Sequence, residues 1–208
     1  MAHLQQSQFI AGVKQFLHEY FVSKNVLEIG SLDINGSVRE FFSNCKYIGL
    51  DIGEGKGVDL VCPGQSYGAS CAEYDVVISC EAMEHNPNWK ETWINMLRVV
   101  KDDGLVLMTC ATAGRQQHGT EEFGPMFSPL THATGQNYYK NLLRRDFEGI
   151  VNHSGWFSSY GFFTDHSHND LFFYGVGLKA NSGIVRRAAH MYSAFEDFYY
   201  QRNIMGRY

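Results

Sequence analysis

The stretch VLEIGSLDINGSVREFF, residues 26–42, decides the fold. A short apolar run ends at Gly30, a polar turn follows, and apolar residues from Val38 onward indicate the start of a helix. A strand followed by such a turn is where parallel sheets bind nucleotides. The dinucleotide fingerprint G-x-G-x-x-G is not met, because Leu32 and Asn35 stand at its second and third glycine positions. The turn therefore favours a ligand that brings a nucleoside without a pyrophosphate.

Short runs rich in Val and Ile continue along the chain and predict strands. The predicted strands are 26–30, 46–50, 58–62, 75–80 and 104–110. Continuous apolar strands are typical of a parallel sheet that is covered on both faces. Apolar residues at helical spacing predict helices over 6–22, from Val38 to Phe42, over 89–100 and over 184–201. Alternating strands and helices predict an α/β, doubly wound sheet with helices on both faces.

The last third of the chain has a different pattern. Residues 156–163 and 171–178 predict two strands joined by the polar turn TDHSHND, which makes an antiparallel hairpin at the sheet edge. Residues 111–137 contain four glycines and two prolines and no clear periodicity. Loops of this length are usually either functional lids or disordered. Their position after the carboxyl end of a parallel strand favours a lid over the ligand.

Composition limits the class of protein. With 208 residues, 44% of them hydrophobic and 19% charged, the chain is expected to form one domain over 1–208. The formal net charge of -5 disfavours nucleic-acid binding. Apolar runs stay well below 20 residues, so no membrane association is expected. Five cysteines without a CxxC pair disfavour a disulfide framework or a zinc site and fit a cytoplasmic location.

Polar residues at two strand ends mark a candidate ligand site. Gly30 permits a close approach of the ligand, and Ser31, Asp33 and Asn35 supply polar groups after it. Asp51 ends the second strand, 21 residues after Gly30. A carboxylate at this position can accept both hydroxyls of a ribose. Ser37, with Glu40 three residues on, has capping-box spacing and predicts where the next helix begins.

The series VLEIGS, YIGLD, YDVVISCEAMEH and LRVVKDDGLVLMTC resembles the class I S-adenosylmethionine-dependent methyltransferases over residues 25–112. The resemblance implies a Rossmann-like, mostly parallel seven-stranded sheet with an antiparallel C-terminal hairpin strand. It also implies S-adenosyl-L-methionine as cofactor and S-adenosyl-L-homocysteine as product. The resemblance matches Glu28, Gly30, Asp51, Cys80 and Glu81 to the family's cofactor site. Together with the polar turn, the predicted cofactor-binding residues are Glu28, Gly30, Ser31, Asp33, Asn35, Asp51, Ile52, Cys80 and Glu81.

The chain departs from that family pattern at two places. Its first turn retains only Gly30 and Gly36 of a glycine-rich segment. The acidic residue that often follows the third strand, and would hold the adenine amino group, has no match, because Pro63 and Gly64 occupy that region. The resemblance therefore leaves the adenine contacts open.

The stretch EAMEH, which follows the fourth strand, offers groups for catalysis. His85 is a candidate base or a group that positions the acceptor; the alternative is that it caps the following Asn86-Pro87 turn. In the loop, His118, Arg115 and His132 are candidate substrate contacts, although loop histidines are often merely solvated. We take His85 and His118 as the candidate catalytic residues. No metal is assigned to Glu81, Glu84 and His85, because a fourth ligand cannot be named.

The predicted function is methyl transfer from S-adenosylmethionine to a small-molecule acceptor, by a monomer or a homodimer. The chain carries neither a D/N-P-P-Y/F/W stretch nor a Pro-Cys motif of DNA methyltransferases, which argues against a DNA substrate. Two alternatives stay open. One is a protein on the same scaffold that binds S-adenosylmethionine without transferring its methyl group, and the other is a dinucleotide-dependent oxidoreductase, which Leu32 and Asn35 disfavour.

Overall fold

The computed structural model describes residues 4–205, and its strands form one seven-stranded sheet. The strand order is β3-β2-β1-β4-β5-β7-β6. The N-terminal helical part of the predicted domain was expected over residues 1–24, and its residues 1–3 lie outside the described residues, as do residues 206–208. The strands are β1 Asn25–Ile29, β2 Lys46–Asp51, β3 Leu60–Val61, β4 Tyr74–Cys80, β5 Val100–Ala111, β6 Phe157–Asp165 and β7 Asp170–Gly177.

The sheet is mostly parallel, as predicted. β1 lies at its centre, where Leu27 pairs with Ile48 of β2 on one side and with Val77 of β4 on the other. β3 and β5 continue the parallel arrangement. β7 is antiparallel to both β5 and β6, so the C-terminal hairpin strand is also confirmed. The sheet therefore has the architecture of a Rossmann-like methyltransferase fold.

Helices cover both faces of the sheet. The α-helices are α1 Leu4–Phe16, α2 Trp89–Val99, α3 Pro129–Ala133, α4 Arg144–Glu148 and α5 Ser182–Met205. Successive residues of β1 point to opposite faces: Val26 packs with α1 and α5, whereas Leu27 packs with α2 and α4. Both faces of the central strands are therefore apolar, which is why these strands read as continuous hydrophobic runs.

Three predicted elements are shorter than expected. The helix predicted from Val38 to Phe42 is a single 3₁₀ turn, Val38–Phe41, because the chain must reach β2 within a few residues. The strand predicted at 58–62 is limited to Leu60–Val61, since Pro63 follows and cannot donate to a ladder. The helix predicted over 6–22 ends at Phe16, and a separate 3₁₀ turn, His18–Phe21, buries its aromatic residues.

The helices predicted at 89–100 and 184–201 are confirmed as α2 and α5. All five cysteines are free thiols, and Cys80 and Cys110 are buried as small apolar groups. Between residues 4 and 205, no helix combines the length and the apolar character that a membrane span requires.

An aromatic cluster anchors α2 to the sheet. Trp93 is fully buried, and its ring makes edge contacts with Phe147 of α4 and Phe173 of β7 at centroid distances of 5.1 and 5.0 Å. His153 lies beside the same ring. Trp93 therefore joins α2, α4 and the hairpin in one packed unit.

We expect Trp93→Ala to lower the free energy of unfolding by roughly 3–5 kcal/mol, because it leaves a large cavity between these elements. The matched control is Ile94→Ala, one residue along the same helix, where the side chain is 49% exposed. That change should alter stability by less than about 1 kcal/mol. Urea unfolding followed by far-ultraviolet circular dichroism measures both; equal losses in the two variants would contradict this account of the core.

Candidate functional site

A pocket opens where β1, β2 and β4 end at their carboxyl edges. Gly30 follows β1, and Glu81 follows β4. Asp51 is the last residue of β2, and Ile52 comes directly after it. Ligands of open parallel sheets bind at this edge, because the crevice between diverging loops lies there. We call this space the main pocket. Further walls come from the turns after β1 and β4, from the segment after β3, and from residues 127–131 and 136.

Gly30 is required by the close approach of two strand ends. Its φ is 83°, and a Cβ placed on it would lie 2.3 Å from the Cβ of Ala82. The amides of Gly30 and Ser31 both donate to the carbonyl oxygen of Leu50, at 2.9 and 3.0 Å. The turn after β1 is thereby fixed against β2 and pressed against the end of β4, so that these ends form one wall.

Asp51 is held rigidly at the wall of the main pocket. One carboxylate oxygen accepts a hydrogen bond from the amide of Leu32 at 3.0 Å, and the other accepts from the amide of Ile52 at 2.8 Å. Burial raises the pKa of this carboxyl above its usual value, while the two amides oppose that shift. Each oxygen keeps further lone pairs for a ligand, so the carboxylate is a preoriented acceptor of hydroxyl protons.

The predicted contacts Asp33 and Asn35 are not part of the pocket wall. Asp33 accepts from the amide of Gly36 at 2.7 Å and pairs with Lys56 at 2.6 Å, so its carboxylate is used within the turn. Asn35 is exposed. The side chains that do line the pocket from this turn are the apolar Leu32 and Ile34. Polarity alone misled the prediction here, because the polar residues stabilise the turn while its apolar residues face inward.

Three other predicted contacts line a smaller cavity on the opposite side of the β1 turn. Glu28, Ser31 and Cys80 bound it together with Gln6 of α1, and it shares Gly30 and Leu32 with the main pocket. Glu28 is buried and accepts a hydrogen bond from the Tyr47 hydroxyl at 2.8 Å. Burial raises the pKa of Glu28 to about 7, with the Tyr47 hydrogen bond opposing the shift. We call this space the turn cavity.

Glu81 links the main pocket to α1. It adopts a φ of 52°, a strained conformation for a residue with a side chain, and such strain is often found at functional sites. The Thr109 hydroxyl donates to Glu81 at 2.8 Å and accepts from the Gln6 amide at 3.1 Å. A buried chain of hydrogen bonds therefore connects the N-terminal helix to the end of β4.

The structure brings the two candidate catalytic histidines together. The rings of His85 and His118 lie 4.9 Å apart, and Tyr139 lies 5.4 Å from the first and 4.9 Å from the second. Glu84 is fully buried beside them, and one of its oxygens accepts from the Ala111 amide at 3.1 Å. We call these four residues the histidine cluster. His85 also lines the main pocket, so the cluster and the pocket share a wall.

His85 does not cap the turn that follows it. The side chain of Asn86 performs that role, since its oxygen accepts from the Asn88 amide at 2.8 Å and its nitrogen donates to Thr92 at 2.8 Å. The His85 ring is buried, with 7% of the residue exposed, and points into the cluster instead, where Gly119 packs against its edge. The alternative interpretation as a turn cap is therefore wrong.

Burial controls the charge of the cluster. Desolvation, assisted by His118, lowers the pKa of His85 to about 3, and desolvation also lowers the pKa of His118. Both imidazoles are therefore neutral near pH 7 and each retains a lone pair. Burial, followed by repulsion from Glu81, raises the pKa of Glu84 well above its usual value. Two acidic groups and two neutral imidazoles thus share a small, poorly solvated volume.

Residues 111–137 form a covering segment over this edge of the sheet. α3 and a 3₁₀ turn, Pro125–Phe127, give it more structure than the sequence predicted. Arg115 pairs with Asp170 at 2.9 Å and donates to the His168 carbonyl at 2.7 Å, so it tethers the segment to the hairpin and is engaged away from the pocket. His132 is exposed. Of the three candidate contacts in this segment, the structure places His118 in the cluster.

Several site residues were missed from the sequence. Gln65 lines the main pocket, and its side-chain oxygen accepts from Thr92 at 3.3 Å. It lies directly after Pro63 and Gly64, where no acidic residue could be matched. Leu130 of α3 packs over the turn after β2, so close that a Cβ on Gly53 would lie 2.8 Å from it. Neither residue belongs to a local pattern, so no sequence signal identified them.

No family model and no curated protein sequence matches the chain. Solved structures do match over most of its length. A 1,6-didemethyltoxoflavin-N1-methyltransferase of Burkholderia thailandensis, with bound 1,6-didemethyltoxoflavin and S-adenosylhomocysteine, aligns with a TM-score of 0.55 at 11% identity, over 83% of this chain and 80% of that one. The N-methyltransferase NodS of Bradyrhizobium japonicum, in complex with S-adenosyl-L-homocysteine, aligns with a TM-score of 0.53 at 9% identity. The alignment covers 85% of this chain and 89% of that one.

A third match is phosphoethanolamine N-methyltransferase 2 of Haemonchus contortus in complex with S-adenosyl-L-methionine, with a TM-score of 0.52 and 14% identity. It covers 84% of this chain, which spans 58% of that longer protein. At these identities the similarity establishes the fold. The chain has the Rossmann-like fold of class I methyltransferases.

We expect the stability of the protein to fall as pH rises from about 4.5 to 7, partly because of Glu28. The folded chain holds the Glu28 proton up to a pKa of about 7, whereas the unfolded chain releases it near 4.5. The folded state therefore binds more protons in this window, and its free energy of unfolding decreases with pH. Glu28→Gln removes this contribution. Between pH 5 and 8, the free energy of unfolding of this variant should therefore decrease by on the order of 2–3 kcal/mol less than that of the wild type.

Urea unfolding at pH 5 and pH 8 measures this difference. Glu54→Gln, at an exposed position, is the control and should follow the wild type. If Glu28→Gln leaves the pH dependence of stability unchanged, the assignment of Glu28 as a buried, protonated group is refuted.

Proposed function

We propose that this protein binds S-adenosyl-L-methionine in the main pocket and transfers its methyl group to a small-molecule acceptor. The observation that carries the proposal is Asp51, a carboxylate fixed by two backbone amides at the wall of a pocket on the carboxyl edge of the sheet. A carboxylate in this position is suited to the two hydroxyls of a ribose. The fold, shared with methyltransferases that were solved with this cofactor or its product, supports the same ligand.

The residues of the two cavities fit the parts of this cofactor. Gly30 lets the β1 turn pass directly beside Ala82, so its backbone forms a narrow wall of the main pocket against which a ligand can rest. The buried hydroxyl oxygen of Ser31 has no hydrogen-bond partner among residues 4–205 and can serve the amino-acid part of the ligand. Ile52, Leu32 and Ile34 offer apolar surface for the adenine. Gln65 supplies a polar group where the family pattern has an acid.

Three further predicted contacts are proposed to act from the rim of this site. Glu81 lines the main pocket and can receive the positive amino group of the ligand. Glu28 and Cys80 lie in the turn cavity behind Gly30 and shape the wall against which the amino-acid part rests. The proposed contacts do not include Asp33 and Asn35, because Asp33 is bound to Lys56 and Gly36 and Asn35 is exposed.

The bound cofactor supplies an activated methyl group on a sulfonium, so the chain's main contribution is alignment and proton removal. The histidine cluster shares His85 with the main pocket, so an acceptor that enters there meets His85 and His118. Their lone pairs can accept the hydrogen bond of a hydroxyl or amine acceptor and orient it. The proton that leaves the acceptor during methyl transfer goes to the histidine cluster. We propose this cluster as the catalytic group.

A small acceptor is supported by the covering segment. Phe127, Leu130 and Thr131 line the main pocket from above, so the site is a covered pocket rather than an open groove. A net charge of -5 gives a polymeric anion little long-range attraction. The Burkholderia neighbour was solved with the small molecule 1,6-didemethyltoxoflavin, which supports an acceptor of this size.

We expect calorimetric titration of the wild type with S-adenosylhomocysteine to show one-to-one micromolar binding, and titration with NADH to show none. Asp51→Asn should weaken the binding at least tenfold, because it removes a charged acceptor from the ribose hydroxyls. Asp75→Asn is the matched control: Asp75 also accepts a backbone amide hydrogen bond, but it lies at the opposite edge of the sheet, at the start of β4. The affinity of the Asp75→Asn variant for S-adenosylhomocysteine should stay within twofold of that of the wild type.

Thermal unfolding confirms that both variants fold before the titrations are compared. Tight binding of NADH with no binding of S-adenosylhomocysteine would replace the proposed ligand by a dinucleotide. Equal losses in the two variants would remove Asp51 from the site.

Transfer itself is tested with S-adenosylmethionine that carries a ¹³C-labelled methyl group and a mixture of cellular metabolites below the size of a protein. We expect at least one labelled product by mass spectrometry, formed in proportion to S-adenosylhomocysteine. His118→Ala should reduce its formation by roughly 10² to 10⁴-fold if His118 orients the acceptor or takes its proton. The control His132→Ala lies in the same segment but is exposed, and should retain the wild-type rate. Binding without any labelled product would favour a non-catalytic cofactor-binding protein.

A further inference from the structure

Three side chains that metals commonly bind converge in the histidine cluster. Glu84, His85 and His118 each offer one ligand atom, and these atoms all lie within 4.8 Å of one another. Glu84 and His85 are adjacent in the turn after β4, whereas His118 comes from the covering segment 33 residues later. The fold therefore joins groups from two separate parts of the chain around one point.

The cluster contains buried polar atoms that lack a protein partner. One carboxylate oxygen of Glu84, a residue with no exposed surface, and Nδ1 of His85, which is 7% exposed, have no hydrogen-bond partner among residues 4–205. Leaving such an atom unsatisfied in the interior lowers the stability of the folded state. Since both atoms lie in the group of converging ligands, a bound ion would satisfy them together.

His118 is oriented as a ligand would be. Its Nδ1 lies 3.0 Å from the carbonyl oxygen of Gln116, which can only accept, so Nδ1 carries the proton and Nε2 keeps the lone pair. Metal-binding imidazoles typically fix their other nitrogen in this way. Gly119, at a φ of 67°, lets the backbone pass so close to His85 that a Cβ there would lie 2.7 Å from the ring. The covering segment is thus shaped to present His118 to His85.

We propose that Glu84, His85 and His118 bind a divalent transition-metal ion such as Zn²⁺. Two imidazoles and one carboxylate favour Zn²⁺ or Co²⁺ over Mg²⁺ or Ca²⁺, which prefer sets made entirely of oxygen ligands. Three protein ligands leave a coordination position open, as in catalytic rather than structural zinc sites. A divalent cation would also stabilise the ionised forms of Glu81 and Glu84, which are both buried.

The position of the site defines its role. His85 belongs both to the ligand set and to the wall of the main pocket, so the open coordination position faces the space where an acceptor enters. A bound ion would bind the acceptor's oxygen or nitrogen there and favour loss of its proton to solvent, because the imidazole lone pairs would then hold the ion and no longer receive that proton. This role rests on the proposed methyl transfer, whereas metal binding itself does not.

The ion also explains how the covering segment is held. His118 connects that segment to the turn after β4 through the shared ligand, in addition to the pairing of Arg115 with Asp170 at the hairpin. Metal binding should therefore raise the stability of the segment as well as fill the site.

The test uses full-length, untagged protein stripped of metal with a chelator. Titration with Zn²⁺ by calorimetry should give one site with a dissociation constant in the micromolar range or tighter. Replacing Zn²⁺ by Co²⁺ should give the visible absorption of four- or five-coordinate cobalt without a thiolate-to-cobalt charge-transfer band. His118→Ala should weaken binding at least 100-fold, and Glu84→Gln at least tenfold. The control His132→Ala, an exposed histidine of the same segment, should bind within twofold of the wild type.

The outcomes separate the proposal from its alternatives. Unchanged affinity in His118→Ala, a thiolate band from one of the free cysteines, or no binding by the wild type would each overturn the metal site. Because Glu84→Gln alters a buried carboxyl, the His118 variant at the partly exposed position is decisive, and its folding is checked by thermal unfolding. Titration of the same metal-free protein with S-adenosylhomocysteine reports on the main pocket separately, so failure of the metal site and failure of cofactor binding are distinguished.

Discussion

The site depends on one steric constraint, the contact between the turn after β1 and the turn after β4. Gly30 passes Ala82 at a distance that leaves no room for a Cβ, and its positive φ turns the chain over the end of β2. This contact sets the spacing between the strand ends, and the pocket is the space that remains beside it. Asp51 owes its position to the same turn, because Leu32, two residues after Gly30, donates one of the two amide hydrogen bonds that hold it.

The constraint also concentrates polar groups in the interior. Ser31, Glu84 and His85 each keep a buried polar atom without a protein partner at this edge of the sheet, among residues 4–205. The apolar core on both faces, by contrast, is filled by Val, Leu, Phe and Trp side chains. Unsatisfied buried polar atoms lower stability, so the three that lie beside the two cavities are candidates for satisfaction by a ligand. The strained backbone of Glu81 lies at the same edge.

Local pattern predicted most of the fold and part of the site. The strands were readable because burial on both faces makes them continuous apolar runs, and α2 because Trp93, Met96 and Leu97 share one face. The position of Asp51 at the wall of the main pocket was predictable because it ends a parallel strand. The short elements around Val38 and Leu60 were overestimated, since an apolar residue near a sheet edge carries the same pattern as one in a longer element. Within the first turn, Asp33 and Asn35 were chosen for polarity, but their environment could not be inferred from spacing.

The histidine cluster shows what sequence could not supply. His85 was recognised within EAMEH, yet its partner His118 lies in a segment without periodicity, and nothing in the intervening residues gives their distance. No metal was assigned to Glu81, Glu84 and His85 from the sequence, because a fourth ligand could not be named; the fold instead brings His118 beside Glu84 and His85 by placing the covering segment over β4. One segment therefore contributes to both features: Leu130 lines the main pocket, while His118 lies beside Glu84 and His85 in the histidine cluster. The covering segment both closes the main pocket and brings His118 into the histidine cluster. Ordering of this segment therefore produces both features together.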